Sequence, residues 1–132
     1  MAAKGIEAVS LRRYIVPVTT TAGGAATAYT EPVAGLVHAI WAENGDLDVG
    51  SDITITDEGT GHAIITITNL AADALYMPRG ATHDIAGVAK LYAAGGTAVG
   101  DRIPASGRIK VVVAAGGATK SGTFTIYVEE MP

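Results

Sequence analysis

The chain has 132 residues and a formal net charge of −4, and its 17% of charged residues falls below the roughly 25% of ordinary globular domains. That length fits one domain, and surface scaling lets about two-thirds of the unfolded surface be buried without covalent staples. The lack of cysteine excludes disulfides, thiolate metal sites and cysteine nucleophiles. No apolar run approaches the length of a spanning helix, and the acidic balance argues against general nucleic-acid binding.

Residues 11–18 suit a strand, with Pro17 demoting its end to an edge or a bulge. A turn at Thr21-Ala-Gly-Gly-Ala25 leads to a second strand over 26–30, and the two read as a hairpin. The apolar run 34–43 fits a short helix or a strand. Asn44-Gly45 is a turn signal, followed by a loop carrying Asp46, Asp48 and Gly50. Residues 52–57 alternate, with Ile53 and Ile55 on one face and Thr54 and Thr56 on the other. Gly59-Thr-Gly61 turns the chain into 62–69, where Ile65 and Ile67 oppose Ile64, Thr66 and Thr68; these two segments form a second hairpin. Residues 75–79 are a short strand or extended piece, 80–87 a loop, 88–93 a strand or one helical turn, and 99–103 a short edge. Residues 107–114 place Ile109, Val111 and Val113 inward, and 123–129 do the same with Phe124, Ile126 and Val128.

Thirty-nine residues are valine, isoleucine or threonine, and no long helix emerges. The expected fold is all-β, an antiparallel sandwich or barrel of about eight short strands, with a jelly roll among the arrangements that fit. Residues 1–10 are expected to be an N-terminal arm that orders on a partner, and 11–132 a single β domain. Ala-Gly-Gly occurs at 22–24, 94–96 and 115–117, as recurring turn chemistry without a tandem period. Mean hydropathy is +0.32, which hints at faces covered by other chains.

Between Tyr14 and Pro78 there is no lysine or arginine but eight acids, whereas from Arg79 to Lys120 six basic residues face Asp84 and Asp101. The halves either interleave and neutralise each other or form patches of opposite sign suited to contacts between neighbouring chains.

Candidate chemistry is thin. His83-Asp84 is the one local histidine–carboxylate pair, without a nucleophile motif beside it, and reads as a loop hydrogen bond or a contact. His38 lies in an apolar run and His62 opens a strand. The acidic loop 44–52 has oxygen ligands at alternating positions but lacks EF-hand spacing, so a solvated turn is expected there. Trp41 and the five tyrosines are scattered along the chain. No catalytic, cofactor-binding or metal-ligating residue is assigned, and no cofactor is implied.

From Asp52 onward a series of phrases stands out: Asp-Ile-Thr-Ile-Thr-Asp-Glu-Gly-Thr-Gly (52–61), Tyr-Met-Pro-Arg-Gly-Ala-Thr-His-Asp (76–84) and Leu-Tyr-Ala-Ala-Gly-Gly-Thr-Ala-Val (91–99). Gly-Arg-Ile-Lys-Val-Val-Val-Ala-Ala-Gly-Gly (107–117) and Lys-Ser-Gly-Thr-Phe-Thr-Ile-Tyr-Val (120–128) follow. Over about residues 11–129 the chain resembles small proteins encoded among the head genes of tailed bacteriophages. Pro-Arg-x-x-Thr-His and Ala-Ala-Gly-Gly-Thr are the most specific stretches. The resemblance implies a non-catalytic virion protein made in the host cytoplasm, a decoration or cement protein on the head. Its partners would be the major capsid protein and further copies of itself, as a dimer or trimer, with neither nucleic acid nor membrane involved. A head–tail joining or tail-tube subunit is one alternative; a β-sandwich binding glycans or a host surface is another.

Overall fold

The computed structural model describes residues 10–130. Eleven strands and no helix occur among the described residues: β1 (Ser10–Thr19), β2 (Ala26–Tyr29), β3 (Val33–Glu43), β4 (Asp52–Asp57), β5 (Ala63–Ile67), β6 (Ala74–Tyr76), β7 (Gly80–Ala81), β8 (Gly100–Asp101), β9 (Ile103–Gly107), β10 (Ile109–Ala114) and β11 (Ser121–Glu130). The expected N-terminal arm lies outside the described residues, except that Ser10 opens β1.

The pairing follows one rule. The first strand pairs with the last, β2 with β10, β3 with β6 and β9, and β4 with β5, all antiparallel. The chain is thus one long antiparallel ribbon folded back on itself. The ribbon then winds, so that β11 also pairs with β3 and β10 with β4. The resulting sheets, β1-β11-β3-β6/β9 and β2-β10-β4-β5, have the strand order of a jelly roll. The fold is a sandwich and not a closed barrel.

Alternation explains which faces meet. Val16 and Val18 of β1, Val37 and Ile40 of β3, and Phe124, Ile126 and Val128 of β11 line one wall of the core. Ile53, Ile55, Ile67, Ile109, Val111 and Val113 line the other, and the two sets form one buried cluster. The inward faces read from residues 52–57, 107–114 and 123–129 are therefore correct.

Two expectations are corrected, and one open alternative is decided. Of the two readings of residues 34–43 the strand holds, because β-branched and aromatic side chains suit a pleated, half-buried surface. β1 and β2 do not form a hairpin; the turn at 20–25 carries the chain from one sheet to the other. Ile64 does not face out with Thr66. A bulge opposite Ile55 and Thr56 turns Ile64 into the core beside Ile67.

Polar contacts bind the two ends of the sandwich. The Asp57 carboxylate is buried, and burial alone would raise its pKa. Amides of Ser106, Thr60 and Gly59 outweigh that and hold it below the usual carboxylate range. It thereby ties the β4 turn to β9. At the opposite, loop end, two of the three Ala-Gly-Gly turns meet, with the Gly116 amide donating to the Gly24 carbonyl at 2.8 Å. Gly117 has φ +86°, and a Cβ there would stand 2.7 Å from the Asp48 carboxylate. Gly117→Ala is expected to cost about 1–2 kcal/mol for the left-handed backbone alone, read as a lowered Tm in thermal unfolding.

Tyr14 locks the far end of β1 to β11 by donating its hydroxyl to the Glu130 carboxylate. Burial first, then that bond, pushes the phenol up to about 12. A raised folded-state pKa means that Tyr14 stabilises the fold fully below the ordinary tyrosine range near 10. That contribution is lost as pH climbs toward about 12. Tyr14→Phe should flatten this alkaline loss in denaturation curves taken across that window.

Candidate functional site

The strand that pairs with the free edge of β3 is interrupted. β6 ends at Tyr76 opposite Ile40, and β9 resumes at Ile103 opposite Val37. The chain between them leaves and re-enters the sheet three positions apart on β3, and Met77–Arg102 stands out as a spur. Sequence reading treated this stretch as loops and short strands and missed its unity. The physical reason is that hydropathy carries no sign that Ile85, Val88, Leu91 and Tyr92 are held outward together.

The spur has its own backbone order. β7 and β8 pair at its base, and the Thr82 amide continues the ladder to the Val99 carbonyl at 2.8 Å. Lys90 donates to Thr82 and Val99 donates to Lys90, so three short segments share one junction. Two turns cap it. At the first, the Asp84 carboxylate accepts from the amides of Ala86 and Val88 at 2.9 and 3.0 Å, and Gly87 takes φ +82°. At the second, the Tyr92 amide donates to Thr97 and the Gly96 amide to Ala93. The expected strand or helical turn at 88–93 is thus a middle segment held by isolated bridges, His83 to Ala89 and Leu91 to Ala98.

These turns present apolar side chains to solvent. Ile85 is fully exposed on the first tip, Tyr92 is 75% exposed and Val88 61%. Leu91 and Met77 are also exposed. Scattered surface hydrophobics are ordinary, but several grouped on one small, internally bonded projection mark an interaction surface.

The base of the spur is clamped to the sandwich. Arg102 donates through Nη1 to both carboxylate oxygens of Glu129 at 2.7 and 2.6 Å, and Arg79 reaches the His38 carbonyl at 3.1 Å. His38 Nδ1 lies 3.2 Å from Glu129, placed there by the β3–β11 irregularity beside Val128. The Arg102 hydrogen bond, which outweighs partial burial, holds the Glu129 carboxyl below its usual range.

Most of the histidines and acids considered from sequence have structural partners. The Asp84 carboxylate accepts from the amides of Ala86 and Val88 and makes no hydrogen bond to His83. His62 donates from Nε2 to the Pro104 carbonyl and pairs through Nδ1 with Thr60, strapping the β4–β5 turn to β9. In the acidic loop, Asp46 accepts from the Ser121 amide and Asp52 from the Asn69 amide, while Asp73 accepts from the Asn44 amide. The expected solvated turn is therefore welded to neighbouring loops, and no metal-ligating cluster occurs among the described residues.

Charge is distributed by height on the sandwich. Arg12–Glu31, Arg108–Glu58 and Arg102–Glu129 pair, and Arg108–Glu58 joins the acidic and basic parts of the sequence. At the loop end Glu43, Asp46, Asp48, Asp52 and Asp73 stand against Lys120 alone. That imbalance equals the formal net charge of the whole chain. A second apolar surface lies on the outer face of the larger sheet, where Ile15, Thr125, Trp41 and Leu75 form one row across four strands.

Comparisons with protein-family models, curated proteins and solved structures found no match for this chain.

Because the Glu129 pKa is depressed, the clamp is complete at neutral pH and is lost as pH falls below the ordinary carboxylate range. Glu129→Gln should release the spur base at neutral pH. Hydrogen exchange at Gly80, Ala81, Gly100 and Asp101 is expected to quicken severalfold while the β10 amides stay protected.

Proposed function

We propose that this chain is a non-catalytic decoration (cement) protein of a bacteriophage head, which docks on the assembled capsid lattice from outside and stabilises it. The observation that carries the reading is the spur: a small, hydrogen-bonded projection that offers Ile85, Val88 and Tyr92 to solvent. A pre-ordered apolar knob loses little conformational entropy on docking and suits a pocket in a protein surface. The resemblance to phage head-gene proteins supports the same reading. Its most specific stretches, Pro78–His83 and Ala93–Thr97, both fall in the spur. The partner is then the major capsid protein. Binding to the assembled lattice and not to its free subunits stabilises the lattice by mass action, and many copies add avidity.

The spur equally suits a head–tail joining subunit, which also needs a projecting element for its neighbours. A cryo-EM map of the parent virion separates the two. Regular density over the outer head assigns decoration, one ring at the portal vertex assigns head completion, and absence from the virion overturns both.

Ile85→Asp tests the spur itself. Ile85 is fully exposed, so Tm should change little. Occupancy on purified heads should fall about tenfold or more, as for a buried hot-spot residue given a charge. Undiminished occupancy would remove the spur from the interface.

A further inference from the structure

We infer that β5 is an interface edge, at which two copies of this chain pair antiparallel across a two-fold axis and join their four-stranded sheets into one of eight. The inference is independent of the virion reading and rests on a comparison of the sheet edges.

An edge strand exposes unpaired N–H and C=O groups that template another strand, and proteins blunt such edges with charge, proline, brevity or cover. β1 carries Arg12, Arg13 and Pro17, whose nitrogen has no hydrogen to donate. β9 contains Pro104, whose carbonyl accepts from His62, while the Ser106 amide is taken by Asp57. β6 is three residues long and runs into Pro78. β2 is four residues long and lies beside β1, with Arg12 and Glu31 bridging the two edges. β5 has none of these devices. From Ala63 to Thr68 six successive residues contain no charge, proline or glycine, and four of the first five are alanine or isoleucine. Such a segment has the composition of strands that add to other strands.

A second copy is the occupant that the strand's own pattern fits. Thr66 is exposed, Ile65 half-buried and Ile67 buried. Antiparallel pairing centred on Thr66 sets Ile65 of each copy opposite Ile67 of the other, so the inward faces stay continuous. It also sets threonine against threonine, extending the outward row of Thr27, Val112, Thr54 and Thr66 across the axis. A one-residue shift would turn isoleucine toward solvent. A groove of about 500 Å³, walled by Ala63, Ala81, Ile103 and Pro104, leaves room for the partner's strand end. The charge distribution favours the same arrangement. Antiparallel pairing points the two acidic loop ends in opposite directions, each beside the ion-paired end of its partner. The contact is isologous and closes on itself.

Sedimentation velocity and hydrogen exchange on the full chain test this. The wild-type protein is expected to be a dimer. Thr66→Lys and Thr66→Glu each place like charges across the axis and should give monomers, and mixing the two should restore the dimer, which a misfolded variant could not do. Those backbone amides of Ile64–Thr68 that point away from β4 should be protected in the dimer and lose that protection in either variant. A wild-type monomer at all soluble concentrations overturns the inference, as does a dimer that survives both substitutions. Protection of β5 that arises only on assembled phage heads assigns the edge to a lattice strand and overturns pairing between copies.

Discussion

The insertion of β11 between β1 and β3 is the constraint on which the rest of the structure depends. β11 supplies Phe124, Ile126 and Val128, all fully buried, and its hydrogen bonds hold both neighbours in register. Without it β1 has no partner among the described strands, and β3 keeps only its interrupted edge. The larger sheet therefore forms only when the two ends of the described chain have met. The Tyr14–Glu130 bond spans 116 positions in sequence. Loop closure over such a distance comes before any reward from packing, so a fold of this kind assembles slowly for its size.

The fold class was legible because alternation is a local property. Ile53 and Ile55, Ile109 to Val113, and Phe124 to Val128 declare their inward faces without reference to any neighbour. The β4–β5 hairpin was legible because Gly59-Thr-Gly61 leaves the strands no other short route. Partner choice over longer distances was not. The glycine turn after β1 looks the same whether the chain returns in the same sheet or crosses to the other. The bulge at Ile64 was equally hidden, since it depends on how β4 lies opposite β5.

The spur shows the same limit at a functional surface. Its turn chemistry could be read in part: Gly95-Gly96 makes one turn, and residues 80–87 read as a loop without showing that Asp84 and Gly87 close the other. What could not be read is that the apolar residues between those turns face water. Hydropathy cannot distinguish a side chain that meets the chain's own core from one held out for another surface. The acidic loop shows the converse. Its carboxylates resemble candidate ion ligands in sequence, but in the fold several of them accept from backbone amides of adjoining loops, an economical way to order turns that have little apolar material.

The antiparallel β1–β11 register also sets how the molecule bears force. Ser10 sits opposite Glu130, so the two ends of the described chain emerge side by side. Tension between them peels this ladder one hydrogen bond at a time, the weak direction for a sheet. Tension through the spur enters at mid-length of β3, between β6 and β9, and is spread along a strand with β11 bonded to its other edge. The molecule is therefore mechanically anisotropic, soft at the Ser10–Glu130 end of the β1–β11 ladder and stiff where the spur is rooted.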